Sequence, residues 1–315
     1  MILKYFFRGI NALVVFMIFT FSIQEIFAFG AFSLDTAREQ NLAYQQKLAQ
    51  KKQLPHPSLQ KKPTDSTTES VRTFSYKTLK NTGNIKIYKA KESPIFVQEI
   101  NLDRKTQIKS LLPKAVSYNQ KINNGEPEFE RKNIKEFVNF TSKNLTSLIN
   151  GQFFNGHTNP TMLSFGLKSD GEIQTVGADN RGRTKKILTI INGHIKTLPY
   201  SWKNFSERSG KFAIVGFDFA VPNRSNSRVG RTYLCPKNPN ARGSSHTLLS
   251  LVAQEITEKE ALQELTKYGC RQEGIVKLDG GGSSRFYYQG DTMYGFSKGK
   301  PDFRKIPHMI GFFEK

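Results

Sequence analysis

The chain is poor in the residues that most often build metal and redox centres. It has two cysteines and five histidines among 315 residues. The histidines are scattered, and no two of them have the HxxxH or HExxH spacing of a zinc site. The sequence therefore predicts no metal site and no cofactor, and it leaves a divalent-cation requirement open.

Acidic residues are also scarce, and their shortage makes the chain strongly basic. Asp and Glu number 26 against 47 Lys and Arg, so the formal net charge is +21. Residues 1–80 carry 11 basic and 5 acidic residues, which leaves 36 against 21, or +15, for the rest. This excess favours an anionic partner, such as a phosphate-bearing glycan or a cell-envelope polymer, with solvated lysines that only maintain solubility as the alternative. Nucleic acid is not a predicted partner, because no nucleic-acid-binding motif is present.

The N-terminus has the pattern of an export signal. Lys4 and Arg8 precede the apolar run 12–23, and Ala28 offers a small residue for cleavage. Because a bilayer span needs about 20 apolar residues, residues 1–28 are predicted to be a cleaved signal peptide, with an uncleaved anchor as the alternative. The predicted destination is secreted, periplasmic or in the cell envelope, without a stable membrane span after cleavage.

Composition divides the remainder into a polar segment and one folded domain. Residues 29–80 combine a Gln- and Lys-rich stretch, typical of an exposed helix, with a proline-punctuated polar stretch that predicts a disordered linker. Residues 81–315 hold the hydrophobic periodicity and are predicted to form the domain. Cys235 and Cys270 both lie there, and an even pair in an exported protein favours a disulfide over two buried thiols.

The patterns in that domain predict an α+β fold of mixed, largely antiparallel β-sheets with a few packed helices. Residues 85–89 and 95–100 indicate paired strands, and residues 132–144 indicate a short helix. The dipeptides at 170–171 (Asp-Gly) and 192–193 (Asn-Gly) are typical of hairpin turns that need positive φ.

The last third of the chain predicts a strand–helix–strand unit. Residues 247–253 are mostly apolar, Thr257 and Glu260 form a capping box that begins a helix, and Gly269 ends it. Residues 274–278 predict a second strand, with Asp279 at its carboxyl end. A unit of this kind is a crossover that sets its two strands parallel.

Asp279 opens a glycine-rich segment, Asp-Gly-Gly-Gly-Ser-Ser, at residues 279–284. Each glycine costs about 0.5–1 kcal/mol relative to alanine in regular structure, so three in a row indicate an unusual backbone or close approach to a ligand. Backbone N–H groups and two hydroxyls beside a carboxylate suit sugar or phosphate oxygens, whereas the alternative is a turn with a solvated aspartate. The segment is neither a P-loop nor a nucleophile elbow.

Three segments, taken in order, resemble the phosphodiester glycosidase family. Residues 148–154 (LINGQFF) are similar to its NGxFF segment, residues 230–232 (GRT) to its RT segment, and residues 278–284 (LDGGGSS) to its LDGGGSS segment. The resemblance extends over residues 81–315. It implies an exported glycoside hydrolase that releases a sugar from a glycosyl-1-phosphate diester.

This resemblance and the chemistry of the side chains predict a site. Asp279 is the expected catalytic carboxylate, Arg231 is expected to hold phosphate oxygens in its planar fork, and Asp218 is the candidate second carboxylate. A phosphate group leaves as a stable anion and so depends less on a general acid. The expected substrate contacts come from the three segments: Asn150, Gly151, Phe153, Thr232, Gly280, Gly281, Gly282, Ser283 and Ser284.

Two other functions fit the same residues. A non-catalytic envelope module would use the glycine-rich segment to bind a glycan or phosphoglycan, and a phosphodiesterase would cleave the P–O bond instead of the C–O bond. The sequence specifies neither the sugar, the aglycone nor the oligomeric state.

Overall fold

The computed structural model describes residues 72–102, 105–122, 125–141, 144–179, 182–221, 225–288, 291–294 and 304–314. The predicted signal peptide and most of the predicted linker lie outside these residues. The first strand begins at Tyr76, a few residues before the predicted domain start at 81. No helix in the described ranges is long and apolar enough to cross a membrane.

Strands dominate the described residues. In chain order they are β1 (Tyr76–Asn81), β2 (Ile85–Ala90), β3 (Ile95–Asn101), β4 (Thr106–Leu111), β5 (Ala115–Asn119), β6 (Glu126–Phe129), β7 (Leu145–Asn150), β8 (Leu167–Ser169), β9 (Glu172–Thr175), β10 (Lys185–Ile191), β11 (His194–Pro199), β12 (Phe212–Asp218), β13 (Val229–Pro236), β14 (Ser244–Ser245), β15 (Thr247–Ile256), β16 (Val276–Lys277), β17 (Phe286–Tyr288), β18 (Asp291–Tyr294) and β19 (Met309–Glu314). The α-helices are α1 (Ile134–Asn139) and α2 (Glu258–Lys267), and shorter helical turns cover Asn204–Arg208, Gln272–Gly274 and Gly281–Ser283.

The strands form two main sheets, and the strand pairs of the described residues are antiparallel. The larger sheet has the order β1-β2-β3-β15-β13-β16-β12-β10-β11-β14, with β8 joining β12 to β9. The smaller sheet has the order β18-β17-β7-β19-β4, and β5 and β6 form a separate ribbon. The prediction of largely antiparallel sheets is confirmed. The fold is β-rich, and helices contribute less to it than the predicted α+β class implies.

Local signals predicted the hairpins correctly. Strands β2 and β3 pair antiparallel, as expected for residues 85–89 and 95–100. Asp170 and Asn192 have φ of 52° and 51°, and the glycines after them have φ of 96° and 76°. Positive φ at both central residues is the type I′ turn, which matches the right-handed twist of the flanking strands.

The last third of the chain forms a strand, a helix and a second strand in that order, but the two strands are not adjacent in the sheet. Its capping box is confirmed, because the Glu260 N–H donates to Thr257 Oγ1 at 3.2 Å and the Thr257 N–H donates to Glu260 Oε2 at 3.0 Å. Strands β15 and β16 are not neighbours, however, since β13 lies between them and pairs antiparallel with both. The two strands thus run in the same direction, with β13 between them.

Two hydrophobic clusters lie on opposite faces of the larger sheet. Leu248 and Val252 of β15 belong to the core between the two sheets, where Phe96 and Phe286 stack with ring centres 4.5 Å apart. Leu249 and Leu251 belong to a second core that α2 covers. Because both faces of β15 are buried, its sequence is a nearly continuous apolar run instead of an alternating one.

The predicted disulfide is confirmed. Cys235 in β13 and Cys270 just beyond α2 are bonded, with their Cα atoms 6.0 Å apart. Both residues are buried in the core beneath α2. The bond therefore ties the helix end to the central strand of the larger sheet.

Reduction of this bond should lower the free energy of unfolding by about 2–4 kcal/mol, because the open chain regains the entropy of a closed loop. The sequence separation within that loop is 35 residues. Urea denaturation with and without reductant measures the effect. A variant with both Cys235→Ala and Cys270→Ala should be less stable than the disulfide-bonded native protein, whether or not reductant is present. Equal midpoints for the native sequence in the two buffers would contradict the prediction.

Candidate active site

All three sequence segments meet at the end of β16. The Leu278 N–H donates to the Thr232 carbonyl at 2.9 Å, and the Asp279 N–H donates to the Gly151 carbonyl at 3.2 Å. The chain leaving β16 is thus bound to β13 on one side and to the turn after β7 on the other. Asp279 lies where these backbones converge.

The side-chain amide of Asn150 joins the three segments through hydrogen bonds. Its Nδ2 donates to the Asp279 carbonyl at 2.7 Å, and its Oδ1 accepts from Thr232 Oγ1 at 2.6 Å and from the Arg285 N–H at 3.0 Å. Asn150 and Thr232 are each 1% exposed. These contacts make both residues positioning groups for the Asp279 backbone, in place of the substrate contacts that were predicted for them.

Backbone packing requires a glycine in the glycine-rich segment, Gly280, and another in β13, Gly230. A Cβ on Gly280 would lie 2.6 Å from the Gly230 carbonyl oxygen, and a Cβ on Gly230 would lie 2.1 Å from the Gly281 carbonyl oxygen. Gly281 itself has φ of +58°, in the left-handed region that favours glycine. The segment therefore lies directly against the backbone of β13, where a side chain on Gly230 or Gly280 would prevent the approach.

The Asp279 carboxyl is half-buried, and its pKa lies above that of an ordinary aspartate. Burial raises its pKa to about 6, against the opposing effects of the Ser283 hydroxyl, the positive charge of Arg304 and the Gly280 N–H. That N–H donates to Asp279 Oδ1 at 2.9 Å. A carboxyl with this pKa can gain or lose a proton near pH 6, as a catalytic acid or base must.

The two serines of the segment are buried and do not present their side chains to solvent. Ser283 is 0% exposed and Ser284 is 1% exposed. Neither hydroxyl forms a hydrogen bond of normal geometry with the described residues, although Ser283 lies near enough to Asp279 to lower the pKa of that carboxyl. Ser283 therefore acts on the carboxylate from the protein side, in contrast to the predicted substrate contact.

The two phenylalanines of residues 148–154 have different surroundings. Phe153 is half-buried and packs against the core residues Phe165 and Phe217, with ring centres 5.4 and 5.0 Å apart, and its substrate contact stays a prediction. Phe154 instead lies under a cation, since the guanidinium carbon of Arg304 is 5.1 Å from its ring centre.

Arg231 is held in a buried network on the side of the sheet that carries α2. Its Nε donates to the Ile256 carbonyl at 2.9 Å and its Nη2 to the Ser227 carbonyl at 3.1 Å. Its Nη1 lies 3.3 Å from the Glu258 carboxylate, which also binds Lys277 Nζ at 2.6 Å. With 5% exposure, Arg231 holds the start of α2 against the sheet, and the structure does not present it as the predicted phosphate ligand.

Asp218 is not beside Asp279. Asp218 ends β12 and pairs with Val276 of β16. Val276 is three residues before Asp279, so the backbone of Asp218 is offset from that of Asp279 by about 10 Å, at roughly 3.3 Å per residue. Its carboxylate lies 3.2 Å from Lys186 Nζ and accepts the Ala220 N–H at 3.1 Å. Asp218 is thus a turn residue with an ion pair, and its role as a second carboxylate stays a prediction.

Two arginines at this site are not among the residues predicted from the sequence. Arg285, which is 2% exposed, donates from Nη1 to the Gly282 carbonyl at 2.8 Å and to the Ser284 carbonyl at 3.0 Å, so it shapes the glycine-rich segment. Its place directly after that segment was the available signal. Arg304 precedes β19, and no pattern distinguishes it from the other basic residues of the chain. Within the described ranges, no group of three or more His, Cys, Asp and Glu side chains could hold a metal ion.

Comparison with protein-family models and with curated proteins finds no match to this chain. Several solved structures have a distantly similar fold, two of which come from zebrafish and Synechocystis. The catalytic domain of zebrafish N-acetylglucosamine-1-phosphodiester alpha-N-acetylglucosaminidase, auto-inhibited by its pro-peptide, is 12% identical with a TM-score of 0.49, over 80% of this chain and 86% of that one. A hypothetical protein from Synechocystis is 12% identical with a TM-score of 0.44, over 76% of this chain.

The chain spans 64% of that second protein, which is less than two thirds of its length. Both likenesses are too distant to carry an activity from one protein to another.

Proposed function

We propose that the chain is an exported hydrolase of the phosphodiester-glycosidase type, which releases a sugar from a glycosyl-1-phosphate diester at Asp279. The observation that carries the proposal is the convergence of the three family-like segments on one carboxyl whose pKa is about 6. The confirmed disulfide is compatible with an oxidising compartment, and the +21 net charge suits an anionic glycan.

The chemistry requires Asp279 in its ionised form. The carboxylate either attacks the anomeric carbon, forming a glycosyl ester that water then hydrolyses, or takes a proton from the attacking water, and in both cases the bond between that carbon and the phosphate oxygen breaks. The phosphate ester leaves with the bonding electrons as an anion that is stable in water, so no general acid has to protonate it. One carboxylate can therefore suffice, where most glycosidases use two.

Incubation of the full chain with a panel of glycosyl-1-phosphate diesters tests the proposal. The matched controls are neutral glycosides of the same sugars. We expect free sugar from at least one diester and much slower release from its neutral counterpart. Saturable binding of the diesters without release would favour the glycan-binding module instead.

The pH dependence of turnover should follow the ionisation of Asp279. Below its pKa of about 6 the carboxyl is protonated, so kcat/KM should fall about tenfold per pH unit between pH 6 and pH 4 and should level off above pH 7. Initial rates at constant ionic strength measure the profile. Activity that instead declines above pH 6 would make Asp279 a general acid and contradict this mechanism.

A further inference from the structure

Arg304 lies beside the glycine-rich segment in a position that is built for a guanidinium. A Cβ on Gly282 would lie 3.5 Å from its Cδ and Nη1, and a Cβ on Gly156 would lie 2.6 Å from its Nη2. The ring of Phe154 supports the same group, with the guanidinium carbon 5.1 Å from the ring centre. The side chain therefore occupies the space between two glycines, over an aromatic face that favours a cation.

The positive charge of Arg304 is not neutralised by an ion pair in the described part of the chain, where no carboxylate lies within 4 Å of it. The guanidinium groups of Arg231 and Arg285 are instead buried and bonded to backbone carbonyls. Arg304 is half-buried, so it remains accessible to a ligand.

A second arginine approaches the same glycine. Arg131 Nη1 donates to the Gly156 carbonyl at 3.0 Å, and its Nε is buried without a hydrogen-bond partner in the described residues. Arg131 and Arg304 thus both contact Gly156, although two like charges at close range repel each other. An oxyanion held between them would offset that repulsion.

We propose that Arg304, assisted by Arg131, forms the subsite for the phosphate group of the substrate, immediately beside Asp279. This inference rests on the proposed function and names the group that holds the phosphate. A guanidinium offers two parallel N–H donors to two phosphate oxygens, and its stacking on Phe154 restricts its rotation before the ligand binds.

Replacement of Arg304 by Gln and by Lys tests the subsite, with Lys305→Gln as the matched control. Lys305 is the exposed neighbour of Arg304, so its loss removes the same charge without the stacked guanidinium. The first readout is the affinity for inorganic phosphate at constant ionic strength, measured by calorimetry. We expect the Kd to rise about tenfold or more in Arg304→Gln and nearly as much in Arg304→Lys, which loses the bidentate geometry, and to change less than about twofold in Lys305→Gln.

The second readout is kinetic and separates this inference from the proposed function. Arg304→Gln should raise KM for the best diester of the panel while leaving a neutral glycoside unaffected. It should also raise the apparent pKa in the rate profile, because a positive charge beside Asp279 is lost. If the protein shows no turnover but its affinity for phosphate still depends on Arg304, the proposed function is wrong and the subsite is correct. Turnover with unchanged KM and phosphate affinity in a folded Arg304→Gln variant would overturn the subsite alone.

Discussion

Replacing Asp279 by Asn should reduce sugar release by at least about a thousandfold while leaving the fold intact. Asparagine has nearly the same shape, so the contacts of the Asp279 backbone with Asn150 and Gly151 should survive. It cannot ionise, and it therefore supplies neither a nucleophile nor a base. Asp170→Asn is the matched control, because Asp170 is an exposed turn residue whose positive φ asparagine tolerates.

The same substitution should stabilise the protein at neutral pH. The folded-state pKa of Asp279 is raised to about 6 from an ordinary value of 3.8, so stability falls as the pH rises between these two values. Asparagine does not ionise, so the free energy of unfolding of Asp279→Asn should exceed that of the native protein by about 1–3 kcal/mol at pH 7 and should equal it below pH 4. Urea denaturation at both pH values measures it. Full activity in Asp279→Asn, or a loss of activity caused by unfolding, would contradict the assignment.

Replacing Glu258 by Gln should destabilise the protein by about 3–5 kcal/mol, because it leaves two buried cations without their common anion. Glu258 is 7% exposed and lies within 3.3 Å of both Arg231 Nη1 and Lys277 Nζ. Burial already lowers the pKa of Lys277, and its ion pair with Glu258 opposes this shift. Loss of the carboxylate should thus lower that pKa further.

Denaturation of Glu258→Gln beside the exposed control Glu255→Gln measures this effect.

Arg231 belongs to the same buried network, and a substitution there tests whether its role is structural or is to bind phosphate. Arg231→Lys should destabilise the fold and leave the KM for phosphate diesters of the remaining folded protein nearly unchanged. A stable Arg231→Lys protein whose KM rises only for phosphate-linked substrates would restore Arg231 as the phosphate ligand.

The features predicted correctly from the sequence are those that neighbouring residues determine. The turn at Asn192, the capping box at Thr257 and the helix stop at Gly269 each depend on a few adjacent positions. Insertion of β13 between β15 and β16 depends on contacts between distant segments, which periodicity does not reveal.

Only part of the site was predicted from the sequence. Asp279 and its glycines form one continuous segment, and the structure brings the other two segments to it. Arg231 is predicted to be the phosphate ligand because residues 230–232 resemble the family's RT segment and its guanidinium is planar, yet neighbouring side chains of a strand point to opposite faces. Thr232 faces Asn150, whereas Arg231 faces Glu258. Arg304 reaches the glycine-rich segment from a part of the chain distant in sequence, so only the folded chain identifies it.

Hydrolysis in ¹⁸O-labelled water tests the central claim most directly. The best diester of the panel is incubated with the full chain, and mass spectrometry locates the label in the two products. If Asp279 directs attack at the anomeric carbon, the label appears in the released sugar, the phosphate ester carries none, and Asp279→Asn incorporates none in either product. Label in the phosphate ester would mean that the P–O bond breaks, and the glycosidase assignment would then be wrong.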